Sequence, residues 1–291
     1  MEYHSFMHSL LVWIENNLTT PLSIDHIAYK SGYSKWHLQR MFKEITGQSV
    51  GTYVRGRRLS RSAIALRLTS RSILDISAVY QFESQQSFTR AFKKQFRETP
   101  SRYRKSEDWD AKGIHPPITL SKQFPLQFSF SIIDDISIYA FSGKYKSTLD
   151  SFNESRTIIR ESLWKEIIEK RPHLPGKLYG LHIAIPGENA FDEQELFYAI
   201  GAIENDSFNG TTNLDKIKIE RGHYVKFNYN GPSSEFQRFI LTIYHTHLPS
   251  LGLIKRKGYD IERYSTDQSR NTKELPSFIS CEYLVPIRNP N

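Results

Sequence analysis

The chain has 291 residues, 38% of them hydrophobic, a net charge of +8 and one cysteine, Cys281. That length suits about two domains of roughly 100–200 residues each, one cysteine excludes an internal disulfide, and no apolar run reaches the roughly 18–20 residues of a membrane helix. The charge is uneven: residues 1–108 hold 17 Lys and Arg against 9 Asp and Glu, while residues 109–291 hold 22 of each, so the excess sits in a basic module suited to a polyanion.

The first 105 residues read as helices. Phe6, Leu10, Trp13, Ile14 and Leu18 mark an amphipathic helix that stops before Pro21. Ser23 can cap a short helix carrying Ile24, Ile27 and Ala28, and Gly32 suits the turn that ends it. Ser34 can cap the basic helix that follows, and a long helix fits Val50 to about Thr69. Ser72 to Asp75 is a capping-box pattern opening another short helix. Ser84 can cap the last long one, which ends before Pro100.

These elements repeat. Ser23, Ile24 and Ile27 recur 49 residues on as Ser72, Ile73 and Ile76. After one inserted residue, Ser34, Leu38, Arg40, Phe42 and Lys43 recur 50 residues on as Ser84, Phe88, Arg90, Phe92 and Lys93. A short helix, a tight turn and a longer basic helix make a helix-turn-helix, here present twice.

In the first unit Trp36, Gln39, Arg40 and Lys43 fall at i, i+3, i+4 and i+7 and share one face. Leu38 and Phe42 point the other way, into a core. The second unit offers Gln85, Gln86, Thr89, Arg90 and Lys93, with Phe88, Phe92 and Phe96 as core. Arg suits guanine O6 and N7, Gln suits adenine N6 and N7, and Lys suits phosphate. Roughly 20 residues of connecting helix span about 30 Å, close to the one-turn repeat of about 34 Å between successive major-groove segments. Arg55, Arg57, Arg58 and Arg61 on that helix suit either phosphate contact or plain solvation.

Residues 106–118, "SEDWDAKGIHPPI", break the pattern with Gly113, Pro116 and Pro117. The expected division is a DNA-binding domain over 1–107, a linker over 108–120 and a second domain over 121–291. Leu126, Phe128, Phe130 and Ile132 then alternate with polar residues at strand spacing. A helix over about 151–170, with Phe152, Ile159, Leu163 and Ile167 on one stripe, precedes two strands. A strand, a helix over about 233–248 and a closing strand repeat the order. The second domain reads as a duplicated β-α-β-β unit of the α+β class.

The segments "IAYKSGYSKWHLQRMFKEITGQSV" and "ESQQSFTRAFKKQFRETP" resemble the double helix-turn-helix domain of the AraC/XylS family of transcriptional regulators, most of all its MarA/SoxS/Rob branch. "HPP", "KRKGYDIERY" and "CEYLVPIR" are similar to the GyrI-like domain that some members carry at the C-terminus. The resemblance implies a transcription activator that binds an asymmetric promoter site as a monomer and works through RNA polymerase. It implies target genes for antibiotic, solvent and oxidative stress tolerance. It carries base contact to Trp36, Gln39 and Arg40, and to Gln85, Gln86 and Arg90, with Ser87 standing where the branch often has Thr. An architectural or origin-binding DNA protein without a ligand would share the first domain.

In the second domain Glu282 lies inside the otherwise apolar strand "ISCEYLVPI", with Glu195 at the corresponding place of the first repeat. A lone acid on a half-buried strand must find a partner or face a cavity. The resemblance makes Glu282 the acid of an aromatic pocket walled by Trp164 and Tyr264, taking amphipathic or cationic ligands; the alternative is a solvent-facing carboxylate or an ion pair with Arg. No zinc spacing, phosphate-cradling Gly-rich loop or G-x-S-x-G is present, so no cofactor, metal or catalytic residue is assigned, and a fused hydrolase is the weaker alternative. His245 and His247 read as ordinary surface or helix-end residues. With no secretory pattern at the N-terminus, the expectation is a cytoplasmic protein with no membrane association.

Overall fold

The computed structural model describes residues 2–120, 127–146, 152–170, 174–186, 194–203, 214–266 and 275–290. The N-terminal part holds α1 (Glu2–Asn16), α2 (Ile24–Ser31), α3 (Lys35–Thr46), α4 (Val50–Leu68), α5 (Ile73–Val79), α6 (Gln85–Phe96) and α7 (Pro100–Lys105). The expected serines start the helices: Ser23, Ser34, Ser72 and Ser84 accept from the backbone N–H groups of His26, His37, Asp75 and Ser87 at 3.0–3.3 Å. The reciprocal capping box closes at Ser84 and Ser87, whose hydroxyl accepts from the Ser84 N–H. α7 is not among the elements read from sequence, although Thr99 caps it and Pro100 opens it.

The two helix-turn-helix units have separate cores. Met7, Leu11, Ile14, Ile27, Leu38, Phe42 and Val54 form one cluster; Leu59, Leu66, Ile76, Phe88 and Phe92 belong to another. α4 is shared, its first turns serving one cluster and its later turns the other.

The C-terminal part holds β1 (Trp109–Asp110), β2 (Phe128–Ile133), β3 (Ile136–Tyr145), α8 (Phe152–Lys170), β4 (Lys177–Pro186), β5 (Gln194–Ile203), β6 (Asp215–Ile219), β7 (Gly222–Pro232), α9 (Phe236–Thr242), β8 (Ile254–Lys255), β9 (Asp260–Ser265) and β10 (Phe278–Ile287). α9 runs on through a π turn at Ile243–His247. Every strand pairing is antiparallel, in the order β2-β7-β10-β9-β4-β5-β3-β6, with β8 and β1 paired beyond one end of β10. A duplicated β-α-β-β order is present, as β3-α8-β4-β5 and β7-α9-β9-β10 joined where β4 meets β9. The strand read from Phe128, Phe130 and Ile132 is β2, which lies outside the first repeat, and β3 and β9 were not among the strands read from sequence. Each repeat receives a further edge strand from the other half: β2 pairs with β7, and β6 pairs with β3. α8 packs over β3 and β5, α9 over β7, and the two helices touch. Leu163 and Ile167 are buried and Ile159 partly so, as the stripe predicts; Leu126 and the side chain of Phe152 lie outside the described residues.

The expected linker is more structured than its glycine and prolines suggest. β1 pairs with β8, putting Trp109 in the second domain's sheet. The Trp109 indole stacks on Tyr244 at 5.0 Å and 7°, and its Nε1–H donates to the Tyr103 hydroxyl of α7 at 2.6 Å. Burial of one large aromatic ring, with one face stacked and its N–H satisfied, ties the segment to both sides. No described helix is long and apolar enough to cross a membrane.

Candidate nucleic-acid interface and acidic core

On α3, Trp36, Gln39, Arg40 and Lys43 are exposed, while Leu38, Met41 and Phe42 are buried. Trp36 is 67% exposed, too open for a core tryptophan, and the Arg40 guanidinium lies 5.5 Å from its ring centroid. That contact pre-orders two flexible side chains side by side. On α6, Gln86, Arg90 and Lys93 are exposed, Gln85 and Thr89 half-buried, and Phe88, Phe92 and Phe96 buried. Both helices thus separate a packing face from a polar, cationic one along the predicted stripes.

The arginines of α4 divide. Arg55 is exposed. Arg57 is fully buried: its Nε and Nη2 donate to Glu15 at 2.7 and 2.9 Å, and its Nη1 donates to the His115 carbonyl. Arg58 donates to the carbonyls of Leu18 and Thr20 at 2.9 and 2.7 Å. Arg61 lies near Glu15, at 3.7 Å, and donates to His245 Nε2 at 3.1 Å. Arg57, Arg58 and Arg61 therefore hold the fold together, a role outside the phosphate-or-solvent alternatives that sequence spacing offered.

The acid of the second domain's interior is Glu262, not Glu282. Along β10, Cys281 and Tyr283 face the helices, and Glu282 between them faces the opposite side. There it pairs with Lys226 at 2.7 Å and with Arg263, one on each neighbouring strand. Burial raises its pKa, but the two cations outweigh burial and hold the carboxyl below its ordinary value. The pairing with Arg is thus what the structure shows, and Glu282 does not meet Trp164 or Tyr264. Glu195 likewise pairs with Lys144 at 3.2 Å.

Trp164 and Tyr264 do come together, edge to face at 5.2 Å, both buried. The Tyr264 hydroxyl donates to Glu262 Oε2 at 2.7 Å, as does that of Tyr198. Arg160 donates to both carboxylate oxygens, at 2.7 and 3.2 Å, and Arg156 to Oε1 at 3.2 Å. Glu262 and Arg156 are wholly buried. Burial raises the Glu262 pKa, yet Arg160 and Arg156 pull it down to about 2. Gly180 makes room for this cluster: a Cβ there would lie 2.6 Å from the Tyr198 hydroxyl and 2.8 Å from Glu262.

The signals for this cluster were in the sequence. Arg156 and Arg160 extend the stripe of Leu163 and Ile167 at helical spacing, so two arginines lie on the packing face of α8. Asp260 and Glu262, two apart in "YDIERY", must share a face of one strand. Alternation puts the two acids on one face, and the apolar stripe of α8 puts the two arginines on its packing face; that the two faces meet is set by the tertiary fold.

The cluster continues toward the first domain. Arg156 reaches the Tyr283 hydroxyl at 3.2 Å, Tyr283 donates to Asp260 at 3.0 Å, and the Tyr244 hydroxyl donates to the same acid. Lys255 pairs with Asp260 at 3.0 Å. Tyr244 is the residue stacked on Trp109, and its neighbour His245 takes the hydrogen bond from Arg61. His245 is buried, contrary to the surface reading of the H-x-H pair, because the end of α9 sits against α4. Burial, with Arg61 and Arg57 adding to it, drives the His245 pKa well down, so the imidazole is neutral and its Nε2 accepts.

Comparison with known proteins agrees with this architecture. Residues 27–106 match a family model described as a helix-turn-helix domain, and residues 141–288 match the GyrI-like small molecule binding domain. The chain is 43% identical over 288 residues to the transcriptional regulator Rob of Salmonella typhimurium and 42% identical to the right origin-binding protein of Escherichia coli. Each alignment covers 99% of this chain and 100% of the relative. The regulatory protein SoxS of Escherichia coli is 48% identical over 104 residues, 36% of this chain and 97% of SoxS. The chain belongs to the AraC/XylS family of DNA-binding transcriptional regulators, in the MarA/SoxS/Rob branch, with a GyrI-like domain at its C-terminus.

Proposed function

We propose that this regulator activates transcription by reading double-stranded DNA as a monomer, through Trp36, Gln39, Arg40 and Lys43 of α3 and Gln85, Gln86, Arg90 and Lys93 of α6. The observation that carries the reading is the pair of exposed polar faces on α3 and α6, each backed by buried Leu or Phe residues. A single helix-turn-helix needs a dimer to supply two reading helices; one copy of this chain already has both. Activation at a promoter site proceeds through RNA polymerase in the cytoplasm, at genes of antibiotic and stress tolerance.

The second domain senses a small amphipathic or cationic ligand. Its recognition elements are Trp164, Tyr264 and Glu262, with Glu262 taking the place that the family resemblance gave to Glu282. A cationic ligand would exchange with the guanidiniums of Arg156 and Arg160 on Glu262. Such an exchange reaches α4 through Tyr283, Asp260, Tyr244 and the His245–Arg61 contact. No catalytic step is part of this reading. Genome-wide footprinting with and without amphipathic compounds of either charge tests it. Discrete promoter sites whose occupancy or output changes with compound are expected. Protection without sequence preference would overturn the DNA-reading half, and compound-independent output at every site would overturn the sensing half.

A further inference from the structure

Gly32 and Gln81 stand at equivalent places, 49 residues apart, in the turns of the two helix-turn-helix units. Both adopt the left-handed conformation, Gly32 with φ of 72° and Gln81 with φ of 62°. Glycine takes that conformation without steric penalty, and a residue with a long side chain rarely does. The second turn therefore holds a strained residue where its twin holds the relaxed one. Strain that persists in one copy of a repeat points to a use for the side chain.

The use is visible. Gln81 Nε2 donates to the Thr19 carbonyl of the first unit at 2.8 Å. Thr19 lies in the short turn between α1 and α2, which Arg58 holds through the flanking carbonyls of Leu18 and Thr20. So the turn of the second unit and the middle of α4 grip the same three residues of the first. At this contact apolar packing is incomplete: a cavity of about 370 Å³ opens between the units, lined by Arg58 and Gln81 together with Ile24, Val54, Phe82 and Ser87. Their hydrophobic cores are distinct. Apolar packing thus leaves the angle between the units loose at this contact.

We infer that Gln81, with Arg58 behind it, is a positioning residue that fixes the phase between the two reading helices, and so the spacing of the two half-sites the chain recognises. The inference rests on the proposal that both α3 and α6 engage DNA. Neither Gln81 nor Arg58 touches a base in this role. A change of one base pair between half-sites moves one relative to the other by about 3.4 Å and rotates it by about 35°. A rigid pair of reading heads resists that change, and a loosely joined pair follows it at the cost of less DNA deformation.

The test uses the full chain and duplexes selected by it from a random pool, with one base pair then inserted or removed between the protected segments. Two variants separate positioning from folding. Gln81→Gly removes the side chain and relaxes the turn. Gln81→Glu keeps the shape but presents acceptor oxygens to the Thr19 carbonyl. Wild type is expected to bind the selected spacing about tenfold better than either neighbour, a difference of about 1.4 kcal/mol. Both variants are expected to flatten that ratio to within about threefold of unity, a residue of less than one tenfold step, while Gln81→Gly melts at or above the wild-type temperature. A uniform loss of affinity at all spacings, or wild-type spacing preference in both variants, would overturn the inference. Selection of no specific duplex by wild type would instead overturn the DNA reading it stands on.

Discussion

Replacing Glu262 by Gln removes the charge at the centre of the second domain while keeping its shape. Five hydrogen bonds converge on this carboxylate, three from guanidinium groups and two from tyrosines. Without it, Arg156 and Arg160 remain in an interior from which water is excluded. Arg156 already has its Nε and Nη1 without a hydrogen-bond partner among the described residues. The neighbouring acid, Asp260, is held by Lys255, Tyr244 and Tyr283. Breaking a buried pair in this way costs about 3–5 kcal/mol, a large share of the roughly 5–15 kcal/mol that typically holds a domain together. Urea unfolding followed by Trp fluorescence reads the loss, because Trp164 lies 5.2 Å from Tyr264. A Trp164→Phe control identifies its contribution. The double variant Glu262→Gln with Arg160→Met should lose less than the sum of the single losses, since it removes a charge together with its counter-charge. A loss below about 1 kcal/mol for Glu262→Gln, or additive losses in the cycle, would refute the view that this acid neutralises the buried arginines.

Acid should weaken the fold through His182 and His245 before it reaches Glu262. Burial, with nearby cations, drives both histidines well below their ordinary value of 6.5. The unfolded chain therefore takes up protons that the folded chain refuses, and stability falls as pH drops below about 6.5, by about 1.4 kcal/mol per pH unit for each histidine. His245→Gln should make the fall of Tm between pH 7.5 and 5.5 shallower; an unchanged slope would count against it. The Glu262 contribution, held down to about 2, is present above the ordinary carboxylate range and is lost only as pH falls toward 2. Arg61→Ala, which removes the donor to His245, should retain ligand binding by calorimetry yet lose the ligand-dependent change in DNA affinity. Lys43→Ala and Lys93→Ala should each lower the slope of log affinity against log salt by about one phosphate contact, and an unaltered slope would remove them from the interface.

Much of the fold was legible because local chemistry and tertiary packing agree. Serines at the helix starts, Gly32 in the first turn and the Leu and Phe stripes of α3 and α6 each need only neighbouring residues to act. The repeats showed themselves for the same reason. Glu282 misled because an acid in an apolar strand has two ways out, and alternation does not say which face is which. The register places Lys226 and Arg263 on its two flanks, a fact of strands distant in sequence. Arg57, Arg61 and His245 were misjudged for a related reason. Their partners are 42, 184 and 184 residues away, so no local pattern reports them. The role of Trp109 depended on a two-residue strand whose partner lies near residue 255. Arg156 and Arg160 could have been found, since they fall on the buried stripe of α8.

The central claim is that the face of α3 reads bases. It is tested most directly by measuring the affinity of wild type, Arg40→Ala and Lys43→Ala for a selected duplex and for random duplex at the same salt concentration. Arg40→Ala should reduce the ratio of specific to random affinity by about 1–3 kcal/mol, roughly 5- to 150-fold, with the loss confined to one base position. Lys43→Ala should weaken both duplexes alike. An equal loss on specific and random DNA for Arg40→Ala would contradict the account.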